Sequence, residues 1–328
     1  MARKMISMAF VASSTTGVAL AAGRRGLQIM GKLMKPFSFA LLCFFGCVLG
    51  ASGGVPGSVI ANGHTWSCSE AESADEYSSI TVCIDGLEDD GPVGNLVIPN
   101  TAGGYPVTQV EISFPQDWQS VTGIEIPNTV SRLSLCVEES QITSISLPTK
   151  LVYLDLYLPK LQSISPTSLP SDLQFLELYS DALTSSLTLP SKLTEFWGGC
   201  PLVKTLNIPA SCENVNLSGF SSLETITVAA SNPEYSAANN VLYNKEKTSL
   251  YFIGAKYTTF TVPDSVTRIS LEDKLNVTSL AIGKNVSYIG KNFEKYVPKL
   301  TSVTVDPANK YFCMYDGCLY DINLTTRY

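Results

Sequence analysis

Ile142-Thr-Ser-Ile-Ser-Leu-Pro-Thr-Lys-Leu-Val-Tyr-Leu-Asp-Leu156 carries the pattern that decides the architecture of this chain. An isoleucine, a short polar residue, a second aliphatic residue and a proline lead into a second apolar strand ending in Leu-x-Leu. The same phrase stands upstream at Val121–Leu135, as V-T-G-I-E-I-P-N-T-V-S-R-L-S-L. Downstream it returns as Leu161-Gln-Ser-Ile164 leading into Ser168–Leu178, then as Ser185–Trp197, then as Val203–Leu217. Its prolines are Pro127, Pro148, Pro170, Pro190 and Pro209, at intervals of about 20 residues. A fixed period in that range means a stacked solenoid, because one unit is too small to bury its own apolar face. Such an architecture favours binding over a long surface rather than catalysis in a cleft.

Each unit supplies two short extended segments. The proline after the first one stops it, since proline has no N–H for a ladder and fixes φ. Stacking in parallel sets equivalent residues about 4.8 Å apart, so like side chains form columns. One column reads Glu125, Ser146, Ser168, Thr188, Asn207, Thr227, short and polar, and is expected to face solvent. Its inward partners are Ile124 and Ile126, Ile145 and Leu147, Leu187 and Leu189, Leu206 and Ile208. Burying each such side chain contributes about 1.5–3 kcal/mol before entropy is counted.

Of 328 residues, 45% are hydrophobic and only 16% charged, enough for a large continuous core. A formal charge of -7 argues against nucleic acid, which needs lysine and arginine on its phosphates. His64 is the only histidine, which leaves histidine-based metal sites and Ser-His-Asp chemistry without material in the repeats. Neither a cofactor nor a metal site is expected. Asp89-Asp90 and Glu138-Glu139 lack the D-x-D-x-D-G spacing of a calcium loop and read as solvated loop charges.

Residues 1–53 read as a leader. Lys32 and Lys35 precede the apolar run Phe37–Leu49, followed by the small residues Gly50–Gly53, which is the layout of a secretory signal peptide. The run is too short for a span of about 20 residues, so no transmembrane segment is expected in the mature chain. Met1–Ile29 makes an over-long n-region, and Met30 or Met34 is the more natural start. Cys47, preceded by Gly46, offers an alternative reading as a lipid-anchored residue, although Phe44 stands where leucine is usual. Secretion permits disulfides. Of nine cysteines, Cys68 and Cys83 flank a polar segment and are the expected pair, facing each other across a hairpin. Cys212 stands where other units carry Leu151, Leu173 and Leu193, and reads as a small buried hydrophobe.

Residues 54–95 are expected to comprise a Gly-rich linker (Gly53–Gly63) and an N-terminal β-hairpin cap made of Thr65–Cys68 and Ser79–Asp85. The cap hides the open apolar end of the stack and its unpaired edge. The solenoid itself is expected over 96–328. Within it, Ser231–Tyr243 departs from the plain phrase, and Val305–Asp321 repeats the departure. In both, a turn pair (Asn239-Asn240, Asp316-Gly317) precedes an apolar-Leu-Tyr strand, a hairpin signal.

These phrases, with V-P-D-S-V-T-R-I from Val262 and N-P-E-Y…V-L-Y-N-K from Asn232, resemble the Bacteroides surface protein A-like (BspA-like) leucine-rich repeats. The likeness runs from about Leu96 to the end. It implies a leucine-rich-repeat solenoid on a secreted or cell-surface protein that mediates adhesion to host or microbial proteins or glycans. The family's Ala-Phe and Cys positions are largely absent between Val121 and Val228, so its binding surface does not carry over there. The chain stops at Thr325–Tyr328 where the earlier copy continues into Leu250-Tyr-Phe-Ile253, so the expectation is a solenoid without its C-terminal cap.

The second strand of each unit supplies the candidate binding residues. Alternation puts Tyr153, Asp155 and Tyr157 on one face, with Phe175, Glu177 and Tyr179, then Glu195 and Trp197, then Asn214, Asn216 and Ser218 at equivalent places; Arg132 and Ser134 precede them. An aromatic and acidic strip of this kind suits a sugar or an extended peptide. The plainer reading is an ordinary outer face of strand-forming residues stacked on one another. An enzymatic reading pairs Asp155 with Glu177, about 5 Å apart along the ladder, as acid and nucleophile; the strip lacks a cleft, so the chain is read as a non-enzyme. A spacer within a larger surface assembly is the other alternative. Sequons stand at Asn216, Asn276, Asn285 and Asn323.

Overall fold

In the computed structural model the described residues are 55, 57–71, 82–87, 91–113, 118–165, 169–184 and 186–328. The leader with Cys47, the tip of the N-terminal hairpin, Asp89-Asp90 and Ser168 lie outside them. From residue 57 onward the chain is a ladder of short strands, with one turn of helix at Phe293–Tyr296 among the described residues.

The largest sheet has ten strands. Its order runs Ser58–Ala61, His64–Glu70, Val82–Leu87, Tyr105–Ser113, Arg132–Cys136, Tyr153–Tyr157, Phe175–Tyr179, Glu195–Gly199, Asn214–Asn216, with Thr101–Ala102 hung on Tyr105–Ser113. The first two pairings are antiparallel and the rest of the path is parallel. Smaller sheets carry the other ladder: Val93–Val97 on Ser120–Glu125, Ser144–Ser146 on Ser163–Ser165, and Leu187–Thr188, Thr205–Ile208 and Thr225–Val228 in a row. Between the two ladders lie the leucine columns. Leu133, Leu154, Leu176 and Phe196 form one, and Leu135, Leu156 and Leu178 another, all fully buried. This is the stacked solenoid that the repeat implied.

The phrase's proline has a second use. The amide three residues on donates back to the proline carbonyl at Val130→Pro127, Leu173→Pro170, Leu193→Pro190 and Cys212→Pro209, over 3.1, 3.2, 3.1 and 3.4 Å. That turn drops the donor's side chain into the core, so Val130, Leu173, Leu193 and Cys212 are all buried. Burial pushes the Cys212 thiol up to about 12, as expected of a residue used as a hydrophobe.

Three readings need correction. The segment taken as a Gly-rich linker holds an edge strand, Ser58–Ala61, joined to His64–Glu70 through Asn62 and Gly63 at φ 53° and 83°. An Asn-Gly turn with both residues left-handed matches the twist of a two-residue hairpin. The expected antiparallel hairpin of residues 64–70 and 82–87 forms, but Cys68 and Cys83 are not joined in a disulfide. A bulge between Ser67 and Cys68 sets Cys68 opposite Ile84 and Cys83 opposite Ser69, one place out of step, so the two side chains leave on opposite faces. Lastly, the partner of Ser146 in the polar column is Ser165, not Ser168, because the rung after Leu161 is longer than the others.

Past Val228 the chain reverses within the rung. Tyr235–Ala238, Val241–Asn244 and Ser249–Ile253 form an antiparallel meander that continues in parallel through Arg268–Ile269 and Tyr288–Ile289. The hairpin Phe312–Tyr315 and Cys318–Asp321 is its twin, at a constant offset in sequence. The turn pairs Asn239-Asn240 (φ 50° and 59°) and Asp316-Gly317 (φ 48° and 72°) correspond. So do the ring contacts Tyr235–Tyr251 and Phe312–Tyr328, and the pairings Tyr243–Leu250 and Tyr320–Arg327.

Each twin is latched by a buried asparagine. Asn232 Nδ2 donates to the carbonyls of Pro209 and Cys212 at 2.8 Å each, and its Oδ1 accepts from the amides of Glu234 and Tyr235 at 2.9 and 2.7 Å. Asn309 repeats the set on Gly283, Val286, Tyr311 and Phe312 at 2.8, 3.0, 2.8 and 2.9 Å. Only a primary amide of this length has two donors and a two-lone-pair acceptor for the task.

Candidate functional site

The sequence-predicted residues fall into register on the face of the long sheet away from the leucine columns. Parallel pairing sets Arg132, Tyr153, Phe175, Glu195 and Asn214 in one column. Ser134, Asp155, Glu177, Trp197 and Asn216 form the second, and Cys136, Tyr157, Tyr179 and Gly199 the third. The register is fixed from the other side of the sheet, since sliding any rung by one residue would turn its leucines outward.

The first column is a stack. The Arg132 guanidinium lies 4.4 Å from the Tyr153 ring centre, and the Tyr153 and Phe175 rings stack at 4.5 Å and 4°. In the third column Tyr157 and Tyr179 meet tilted, at 6.0 Å. Tyr179 has room because Gly199 follows it: a Cβ there would stand 2.8 Å from the Tyr179 ring and 2.9 Å from the Ser218 carbonyl. Gly198, on the core side, likewise leaves space for the Phe196 and Phe220 rings, which meet at 5.8 Å.

The middle column holds the charge. Asp155 is 8% exposed and Ser134 5%, so these two members of the outer face lie buried within it. Its Oδ2 accepts from the Ser134 hydroxyl at 2.9 Å and the Cys136 thiol at 3.6 Å. Burial raises its pKa in spite of those two donors. Glu177, one rung on and half-buried, is pushed up to about 7, by burial first and by the Asp155 charge second, against a hydrogen bond from Tyr179. Burial and the neighbouring Glu177 charge raise the Tyr179 phenol as well. The two carboxylates are neighbours in the column, and the charge of Asp155 makes Glu177 hold its proton more tightly. Tyr153, Tyr157, Phe175, Tyr179 and Trp197 are half-buried, each with part of its side chain at the surface.

The strip ends at Asn214–Asn216. The Tyr235 hydroxyl accepts the Val215 amide at 3.2 Å, and Ser218, expected as a strip member, lies past the strand and donates to the Glu272 carbonyl at 3.0 Å. Here a joint that the sequence did not reveal links the long sheet to the hairpin units. Glu272 is pushed up to about 7 by burial, partly offset by the Leu217 amide, and Asp273 is raised by burial against the amides of Lys274, Gly219 and Phe220. The Leu271–Asp273 stretch that forms it carries no repeat signature. A second stacked pair, Arg268 over Tyr288 at 4.0 Å, repeats the Arg132–Tyr153 device in the hairpin sheet.

Among the described residues no three His, Cys, Asp or Glu side chains are grouped to hold a metal, and no helix is long and apolar enough to cross a membrane. Two shallow depressions lie off the strip. One of about 530 Å³ borders the polar column at Gly123, Glu125 and Ser146, and one of about 490 Å³ lies at Lys284, Asn285 and Tyr311.

No family model and no curated protein matches the chain. Among solved structures it is similar to the pneumococcal vaccine antigen PcpA, with 15% identity, a TM-score of 0.48, and 79% of this chain and 72% of that one covered. It is also similar to a leucine-rich cell surface protein from Faecalibacterium prausnitzii A2-165 (18%, TM-score 0.43, 76% of both chains). A leucine-rich repeat protein from Eubacterium ventriosum ATCC 27560 is similar at 20% identity and a TM-score of 0.39, over 69% of this chain and 67% of that one.

Proposed function

We propose that the chain is a secreted or surface-displayed leucine-rich-repeat protein that works by non-covalent adhesion, through the strip of Tyr153, Asp155, Tyr157, Phe175, Glu177, Tyr179 and Trp197. One observation carries the reading: five partly exposed aromatic rings flank two adjacent, desolvated carboxylates, all in register on one sheet face. Buried carboxylates side by side cost stability, and apolar residues at Asp155 and Glu177 would serve the fold better. A partner supplying a lysine, an arginine or a hydroxyl-rich sugar ring would satisfy Glu177, which reaches the surface beside the buried Asp155, together with the rings. The acid-and-nucleophile alternative is weaker, because Asp155 is turned onto Ser134 and Cys136 and lies buried rather than open to a substrate.

The test is binding of the purified chain to arrays of extracellular-matrix proteins and glycans, with Tyr157→Ser, Tyr179→Ser and Trp197→Ser combined. A saturable hit is expected, weakened about tenfold or more in the triple variant while its melting profile stays cooperative. Silence from a folded sample favours a spacer, and an undiminished hit moves the contact face elsewhere.

A further inference from the structure

The twin hairpins have the same backbone, so any residue type they do not share is not dictated by the fold. Three positions differ in one direction. Where the first copy carries Glu234, Lys245 and Lys247, the second carries Tyr311, Ile322 and Leu324. The equivalence is geometric: Lys245 donates its amide to the Glu234 carbonyl at 2.8 Å, and Ile322 to that of Tyr311 at 2.7 Å. Lys247 and Leu324 both sit left-handed in the turn, at φ 57° and 59°, with amides on Asn244 and Asp321.

In the first copy all three positions are exposed although further rungs follow it, so their exposure is lateral. In the second copy they place Tyr311, Ile322 and Leu324 in solvent at 50%, 48% and 45%. Lys245 Nζ also caps the carbonyls of Ala230 and Asn232 at 2.8 and 2.6 Å, two bonds for which Ile322 has no group. The exchange therefore loses fold stability and adds exposed apolar surface, the reverse of what a free surface selects. Beside Tyr311 lies the depression of about 490 Å³, whose rim includes Lys310 and Lys284. Lys284 is bridged to Asp264 at 2.8 Å, whereas Lys310, exposed, belongs to none of the ion pairs among the described residues.

We infer that Tyr311, Ile322 and Leu324 form a second contact surface, apart from the strip. It takes an amphipathic segment of a protein partner, with apolar side chains on the three residues and a carboxylate on Lys310. Charge decides between occupants. A neutral apolar ligand leaves Lys310, exposed and outside the ion pairs among the described residues, unused.

The twin supplies the test variants, since Tyr311→Glu, Ile322→Lys and Leu324→Lys install residues that the same backbone already bears. The full chain is probed with an array of synthetic peptides alternating leucine or phenylalanine with glutamate, and with a matched array bearing lysine in place of glutamate. Saturable binding to the glutamate set is expected, about tenfold weaker or more in the triple variant and in each single variant by a smaller factor. Lys310→Glu moves the preference to the lysine set, and Thr188→Ala, on the other ladder, leaves binding unchanged. Absence of binding, indifference to peptide charge, or binding that survives the substitutions overturns the inference. So does a dimer seen by sedimentation that the triple variant abolishes, which would make a second copy the occupant.

Discussion

The stretch from Val121 to Val228 and the stretch from there to Tyr328 solve one problem in two ways. In the first, the described residues do not reverse within a rung, and each unit's amides find carbonyls of the units on either side. Val152 donates to Ser131, Gln174 to Val152, Thr194 to Gln174 and Glu213 to Thr194, each at 2.8 Å. Repetition alone satisfies the backbone. In the second stretch a hairpin breaks the ladder twice, and each time a buried asparagine stands in for the missing strand with two donated and two accepted bonds. A solenoid is self-satisfying while its direction is constant; a reversal needs a side chain that imitates a peptide group.

The comparison is tested hardest by Leu147→Asp. Leu147 is 5% exposed in the plain stack, and an unpaired carboxylate there costs about 4 kcal/mol or more, spread to neighbouring rungs. A cooperative melt with an unchanged midpoint would contradict that coupling. Next in size is Asn232→Ala, which strands four backbone groups at a fully buried side chain and is expected to cost about 3 kcal/mol in a urea titration. Asn232→Asp is expected to cost as much, since it loses both donors; a tolerated aspartate would mean that the acceptor half alone holds the latch. Asn309→Ala is expected to cost less, because Asn309 is 7% exposed against 0% for Asn232.

A smaller effect separates the regions by pH. The carboxyl of Glu177 rises from 4.5 to about 7 on folding, so the folded chain holds its proton more tightly than the unfolded one. That contribution is fully present below pH 4.5 and is lost as pH rises through 7, on the order of 2 kcal/mol. Glu177→Gln should reduce the slope of stability across that window, measured as urea midpoints at several pH values. Glu272, also pushed to about 7, should keep a residual slope until Glu272→Gln removes it from the joint. The smallest effect is expected on the polar column, where Thr188→Ala should stay within about 0.5 kcal/mol. A loss much above that would show that the column takes part in more than facing solvent.

Much of this was legible in the chain. The proline-punctuated phrase placed the strands, and because side chains alternate, the leucine columns placed the strip rung by rung. The turn pairs Asn239-Asn240 and Asp316-Gly317 announced both hairpins. What escaped has a common character. Asn232 and Asn309 look like loop residues until four backbone groups are seen to converge on each. Their signal was present, since both stand three residues before an aromatic (Tyr235, Phe312) at the same place in each twin. The cysteine pairing failed because one bulged residue exchanges the faces of a strand. The depth of Asp155 escaped because period-two alternation assigns a side of the sheet and says nothing of what surrounds it.

The sequence by itself determined that this chain stacks, which residues point inward, and which fall into columns. Those follow from a local period and the geometry of extended chains, and need no knowledge of distant contacts. Only the tertiary structure decided how deep each column lies, how the charge of Asp155 acts on Glu177, and where the Leu271–Asp273 stretch joins the sheet ending at Asn214–Asn216. Only there did the second hairpin's apolar surface stand out from its twin. Burial and electrostatics depend on everything that approaches a group, and no repeat in the chain records that.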